Sequence, residues 1–169
     1  MKKTLDIKSM VRVNHAGESA AVRIYEGQLR VLGESSLAPT LQHMLMQEQG
    51  HLAKFEAERV SRNIAPTAFQ PLWHRASYAL GVASALLGKE AALACTVAVE
   101  EAIDEHYAAQ LVALKESPEK DLKALIHTCH QEELAHKEEA QDLGGEKYRT
   151  FKQMIKTGCR LAIYLSERG

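Results

Sequence analysis

The chain has 169 residues, with 21 basic against 22 acidic side chains for a formal net charge of −1. That is enough chain for a substantial core, without the basic excess of a non-specific nucleic-acid binder. An apolar fraction of 46% and a charged fraction of 25% exclude wholesale disorder. Cys95, Cys129 and Cys159 lie far apart and form no Cys-x-x-Cys pair. A disulfide framework and a thiolate zinc site are therefore disfavoured, and a reducing compartment is expected.

The opening MKKTLDIKSM has two lysines but no apolar run behind them, so it does not read as a secretory signal. Apolar positions then recur at helical spacing in five segments. The first spans about Ser9 to Leu32 and stops at Gly33-Glu34-Ser35-Ser36; the second spans Thr40 to Asn63, ahead of Pro66. A connector, Ala65 to Trp73, leads into a long third segment, His74 to Lys115, with a bend expected near Gly88. The fourth has Ser117 as N-cap and Pro118 at the first helical position, and runs to Leu143 before Gly144-Gly145. Glu119 and Asp121 put negative charge in its first turn, where the helix dipole favours it. The fifth covers about Glu146 to Ser166. No strand alternation stands out, so the expectation is a single all-α domain over 1–169. The only long apolar stretch, Ala76 to Val99, is broken by Lys89 and Glu90, leaving Ala76 to Gly88 before the break. Those 13 residues are too few to span a bilayer, which takes about 20, and a buried or an interfacial helix are both open.

Inward stripes of bundle helices step by three and four. They read Val11, His15, Glu18, Val22, Tyr25 in the first segment and Leu41, Met44, Glu48, His51, Phe55 in the second. The third gives Leu93, Val97, Glu100, Ile103, Tyr107, and the fourth Ile126, Cys129, Glu133, His136, Ala140, Leu143. Each apolar face thus carries one central glutamate, and two add a histidine three residues on. One such glutamate alone reads as a boundary side chain reaching water. Four unpaired carboxylates at mid-helix would each cost several kcal/mol, against about 5–15 kcal/mol of total stability. No lysine or arginine shares the stripes, so two divalent metals are the natural counter-charge.

Hairpin geometry agrees. Glu18 and the Glu48/His51 pair are equidistant from the Gly33–Ser36 turn, and Glu100 and the Glu133/His136 pair from Ser117-Pro118. A Glu from each of two helices plus Glu-x-x-His from the other two is the donor pattern of di-iron and di-manganese bundles. Carboxylate and imidazole without thiolate suit either metal.

Other residues are less decisive. His43, His74, His127 and His130 read as surface or boundary histidines. His15, one turn before Glu18, is either an orienting neighbour or a core histidine bonded to backbone. Glu101, Asp104, Glu105 and Glu132 either orient the ligand histidines or form a solvated face. Tyr107 is a plain core aromatic or, beside an oxidising centre, the candidate catalytic residue that bonds substrate or passes an electron.

The stretches MVRVNHAGESAAVRIYEGQ, QEQGHLAKFE, LLGKEAALACTVAVEEAIDEHY and QEELAHKE, with PLW and the C-terminal GCRLAIYLSER, resemble the demethoxyubiquinone hydroxylases of ubiquinone biosynthesis over nearly the whole chain. Asn14 stands where many relatives have Asp, and Gln47 precedes Glu48 where other di-iron families often have Asp. The resemblance implies a ferritin-like four-helix bundle with additional helical segments, and places metal ligands at Glu18, Glu48, His51, Glu100, Glu133 and His136. It implies two iron ions, molecular oxygen as co-substrate, and NADH as ultimate reductant. The substrate would be a polyprenyl methoxy-methyl-benzoquinol hydroxylated on its ring. Expected partners are a membrane surface and other quinone-biosynthesis proteins, with no nucleic acid. The protein would sit on the cytoplasmic face of a bacterial inner membrane or the matrix face of the mitochondrial one. The expected docking surface starts at Phe69 and includes Leu72, Trp73, Tyr78, Leu80, Val82, Leu86 and Leu87, with Arg75 to meet anionic lipid. Alternatives from other classes are a ferritin-like iron store, a peroxidase or a metal-free structural bundle.

Overall fold

The computed structural model describes residues 6–168; the two lysines of the opening sequence lie outside them. Within that range the chain forms six α-helices and no strand. They are α1 (Ile7–Leu32), α2 (Ala38–Ser61), α3 (Gln70–Leu86), α4 (Lys89–Ala113), α5 (Lys120–Ala140) and α6 (Arg149–Ser166). Asp6 caps α1 by accepting the Ser9 N–H at 3.0 Å, relieving one of the unpaired donors of the first turn. Pro39 and Pro71 lie in the first turns of α2 and α3, where the missing N–H costs nothing.

The long third segment is two helices, not one bent helix. Gly88 separates α3 from α4 with φ at +111°, a backbone conformation that disfavours any side chain. The chain reverses there, and α3 leaves the bundle to lie along the outside of α1. That contact is close: a Cβ on Gly81 would sit 2.1 Å from the Ile24 carbonyl oxygen, and one on Gly27 2.4 Å from that of Tyr78. Small residues on facing helices are what let two backbones approach this far.

Other helix boundaries also move, and the helix expected from His74 begins at Gln70. The helix expected from Pro118 starts at Lys120, with Glu119 rather than Ser117 at its cap. Ser117 Oγ instead accepts the Glu119 N–H at 3.3 Å, in the turn before. Beyond Ala140 the coil widens into a π turn over Gln141–Gly145, broken at Gly144 with φ +110°. The wider turn shifts the helical phase, so Leu143, expected inside, is 48% exposed. Tyr148 then adopts a left-handed conformation, delaying α6 to Arg149.

The bundle is α1, α2, α4 and α5. Side-chain bonds fix its directions: Asn14 to Gln110 and Tyr25 to Glu100 make α1 and α4 antiparallel, and Gln47 to His136 and His51 to Glu132 do the same for α2 and α5. Two apolar clusters fill its ends. Val11, Phe55, Leu114, Leu122 and Ile126 form one; Leu37, Leu41, Met44, Leu93 and Val97 form the other. Burying each such side chain contributes about 1.5–3 kcal/mol. Between the clusters lies a polar layer.

Candidate metal centre

That layer holds Glu18, Glu48, His51, Glu100, Glu133 and His136, each at most 2% exposed. All six side chains singled out in the sequence are therefore brought to one place. Their donor atoms fall into two overlapping sets, each with all atoms within 4.8 Å of one another. One set is Glu18, Glu48, His51 and Glu133; the other is Glu48, Glu100, Glu133 and His136. Glu48 and Glu133 belong to both, which makes them the central carboxylates, with Glu18 and Glu100 at the flanks.

Both imidazoles turn Nδ1 inward. His51 Nδ1 lies 3.1 Å from Glu133 and 3.4 Å from Glu18, and His136 Nδ1 lies 3.1 Å from Glu48 and 3.2 Å from Glu133. Each Nε2 faces outward to a residue beside the opposite central glutamate. His51 Nε2 meets Glu132, and His136 Nε2 lies 2.9 Å from the Gln47 amide oxygen. Of the four acidic neighbours, only Glu132 orients a histidine of the layer. Asp104 pairs with His130 and Lys137, Glu101 with Lys156, and Glu105 with Lys156 and Arg160.

The flanking glutamates are held by tyrosines. Tyr107 donates its hydroxyl to Glu18 and Tyr25 donates to Glu100 at 2.9 Å. Tyr107 is buried and stacks on Phe55, so its hydroxyl points at a carboxylate rather than into open space. Tyr25 was not singled out from the sequence, where it passes as core. The available signal was a repeat: Tyr25 follows Glu18 by seven residues, as Tyr107 follows Glu100. Antiparallel α1 and α4 then cross the pairs.

Around the layer, His15 pairs with Glu56 at 2.9 Å, and His74 lies 2.5 Å from Ser19 Oγ, tying α3 to α1 beside Glu18. His74 is thus not a free surface histidine. Cys129 Sγ reaches the Glu18 and His51 donor atoms, but burial raises its thiol to about 12, so it is present as the protonated thiol.

The electrostatics of the layer follow from its four buried carboxylates. Burial, reinforced by Glu133 and Glu48, holds the Glu100 carboxyl well above the ordinary range. Burial alone would lower His136, but Glu133 and Glu48 outweigh it and raise the imidazole to about 9. His51 moves the same way and further, through Glu133, Glu18 and Glu48. Even so, Glu18 Oε2, both Glu48 oxygens, Glu100 Oε2, Glu133 Oε2 and His136 Nδ1 are buried without a hydrogen bond. A pair of divalent ions fits this donor set: it would satisfy these atoms and balance four carboxylates.

A helical bundle with a buried four-carboxylate, two-imidazole layer is the class the fold and site define. Among known families, the chain matches "Ubiquinone biosynthesis protein COQ7" over residues 5–166, and it belongs to that family. It is 48% identical to the human "NADPH-dependent 3-demethoxyubiquinone 3-hydroxylase, mitochondrial", covering 96% of this chain and 77% of that protein. It is also 48% identical to the "3-demethoxyubiquinol 3-hydroxylase" of Rhodospirillum rubrum, covering 96% and 78%. The Saccharomyces cerevisiae "5-demethoxyubiquinone hydroxylase, mitochondrial" is 35% identical, covering 94% and 76%.

Proposed function

We propose that the chain is one ferritin-like domain that hydroxylates the ring of a polyprenyl methoxy-methyl-benzoquinol in ubiquinone biosynthesis, using molecular oxygen and two iron ions. The observation that carries this is the polar layer between two apolar clusters. The hydroxylases among its relatives favour this reading over iron storage or peroxidase activity. Glu18 and His51 would hold one ion, Glu100 and His136 the other, with Glu48 and Glu133 shared. When bound, the iron pair would supply the redox chemistry that reduces oxygen and hydroxylates the ring.

The chain's own groups set the conditions. Both apolar clusters keep water from the layer, which strengthens every electrostatic contact inside it. Tyr107 and Tyr25 hold the flanking carboxylates by hydrogen bonds donated across the α1–α4 interface. We assign Tyr107 a positioning role through Glu18. Tyr107→Phe keeps the packing and should slow turnover while iron content stays normal; unchanged turnover would return it to the core. Reducing equivalents come ultimately from a nicotinamide nucleotide, NADH or, as the human relative's name has it, NADPH.

No described helix is long and apolar enough to cross a membrane. The substrate's tail stays in the bilayer, since each buried CH₂ is worth about 0.8 kcal/mol, so the protein must come to it. α3 supplies the surface. Gly81, Ser84 and Ala85 face inward, while Leu72, Leu86 and Leu87 are 54%, 71% and 64% exposed. Trp73 and Tyr78 are only half-buried at its flank, a position suited to headgroup level. Expected partners are this membrane face and other quinone-biosynthesis proteins, on the cytoplasmic side of a bacterial inner membrane or the matrix side of the mitochondrial one. The test is purified iron-loaded protein with a short-tailed demethoxyquinol, a reductant and labelled oxygen. One labelled atom in the ring product supports the function. Iron uptake without product, or full activity without iron, would sink it.

A further inference from the structure

The two halves of the centre match in almost every respect. Each has one flanking glutamate, one tyrosine hydroxyl on it, one inward Nδ1 and the same two shared carboxylates. Apart from Cys129, which lies only beside Glu18 and His51, they differ in what holds the outer face of the imidazole. On the His51 side it is the Glu132 carboxylate; on the His136 side it is the neutral Gln47 amide, 2.9 Å away. No lysine or arginine of the described residues pairs with Glu132, whose ion-pair partner is His51.

We propose that Glu132 and Gln47 make the two metal positions unequal, so that the ion at Glu18/His51 is held more tightly than the ion at Glu100/His136. This rests on the dinuclear reading above. A carboxylate accepting the outer ring N–H pushes electron density toward the inner nitrogen, making it a stronger donor; an amide oxygen does so less. Glu132 also adds a negative charge beside the first position that the second lacks. Glu132 and Gln47 are positioning residues in this account, acting through the histidines.

Stepwise affinity alone decides nothing, because the first ion in any such cluster weakens binding of the second. The variants decide. Protein loaded with two equivalents of Co(II) is titrated with a chelating competitor while the visible cobalt spectrum reports each departure. Glu132→Gln should release the last-retained ion at about 10–100-fold lower competitor, the usual cost of losing such a partner. Gln47→Glu should do the reverse, retaining the first-lost ion at higher competitor and drawing the two steps together. Glu100→Gln should leave the tight ion in place, whereas Glu18→Gln should loosen it. If Glu132→Gln shifts neither step, or only the weaker one, the inequality is wrong. If wild-type protein takes up no Co(II), the dinuclear reading itself fails, a different and visible outcome. Gln47→Glu keeps the test open should Glu132→Gln disturb the fold.

Discussion

The bundle centre and the outer helix α3 break the ordinary distribution of polarity in opposite directions. At the centre, four glutamates and two histidines are almost wholly inaccessible, flanked by apolar clusters. At the end of α3, Leu86 and Leu87 stand in solvent directly after buried Ser84 and Ala85. Each arrangement is costly for a chain that does nothing but fold: buried carboxylates demand counter-charge and exposed leucines invite association. Both costs have a use when metal fills the centre and a lipid surface covers the leucines. The difference teaches where to look for partners, an ion within and an interface without.

The sharpest way to break the comparison is at the centre. Glu48→Ala or Glu133→Ala removes a carboxylate belonging to both donor sets. Hydroxylation should fall to background and bound metal below the full pair, while circular dichroism retains the helical signal. Wild-type levels of bound metal in either variant would show that the layer is not the site. Removing metal from wild-type protein should come next in size. An ion that binds only the folded chain stabilises it by about 2.7 kcal/mol at one hundred times its dissociation constant. Stripped protein should therefore melt several degrees lower and recover on adding Fe(II). A melting temperature indifferent to metal would remove the counter-charge argument.

The outer half of the comparison is tested by Leu86→Glu with Leu87→Glu. Both side chains are exposed, so the double variant should fold normally, release from anionic liposomes, and raise KM for a long-tailed quinol more than for a tail-less analogue. Equal loss with both substrates, and unchanged liposome binding, would place the membrane contact elsewhere.

The bundle and its six central side chains were legible because both rest on local periodicity. Steps of three and four select a face, and equal distances from a turn select a level. What escaped depends on contacts between distant helices. At Gly88 the sequence predicts a bend within one helix, and its positive φ shows instead that α3 ends and turns away. The crossing of Glu132 to His51 and Gln47 to His136 joins α2 to α5, which share no turn. Tyr25 looks identical to a core tyrosine until α4 is laid beside it. Leu143 failed for another reason: the π turn changes the period on which the stripe was counted.

The smallest expected effect lies just outside the central layer, where polar groups are buried without any demand for metal. Asn14 and Gln110 exchange two hydrogen bonds of 2.8 Å between α1 and α4, and Gln110 Nε2 also lies 2.7 Å from His106 Nε2. Burial lowers His106 to about 4, so the folded protein keeps the ring neutral and able to accept from Gln110. The unfolded chain binds a proton near the ordinary value of 6.5. Stability from this group is therefore complete above pH 6.5 and is lost as pH falls from there toward 4. Urea unfolding of wild-type protein and His106→Gln at pH 7 and pH 5 isolates it. The wild type should lose more stability between the two pH values than the variant, whose amide does not titrate. If both lose the same amount, acid sensitivity resides in the carboxylates and the neutral polar layer contributes nothing to it.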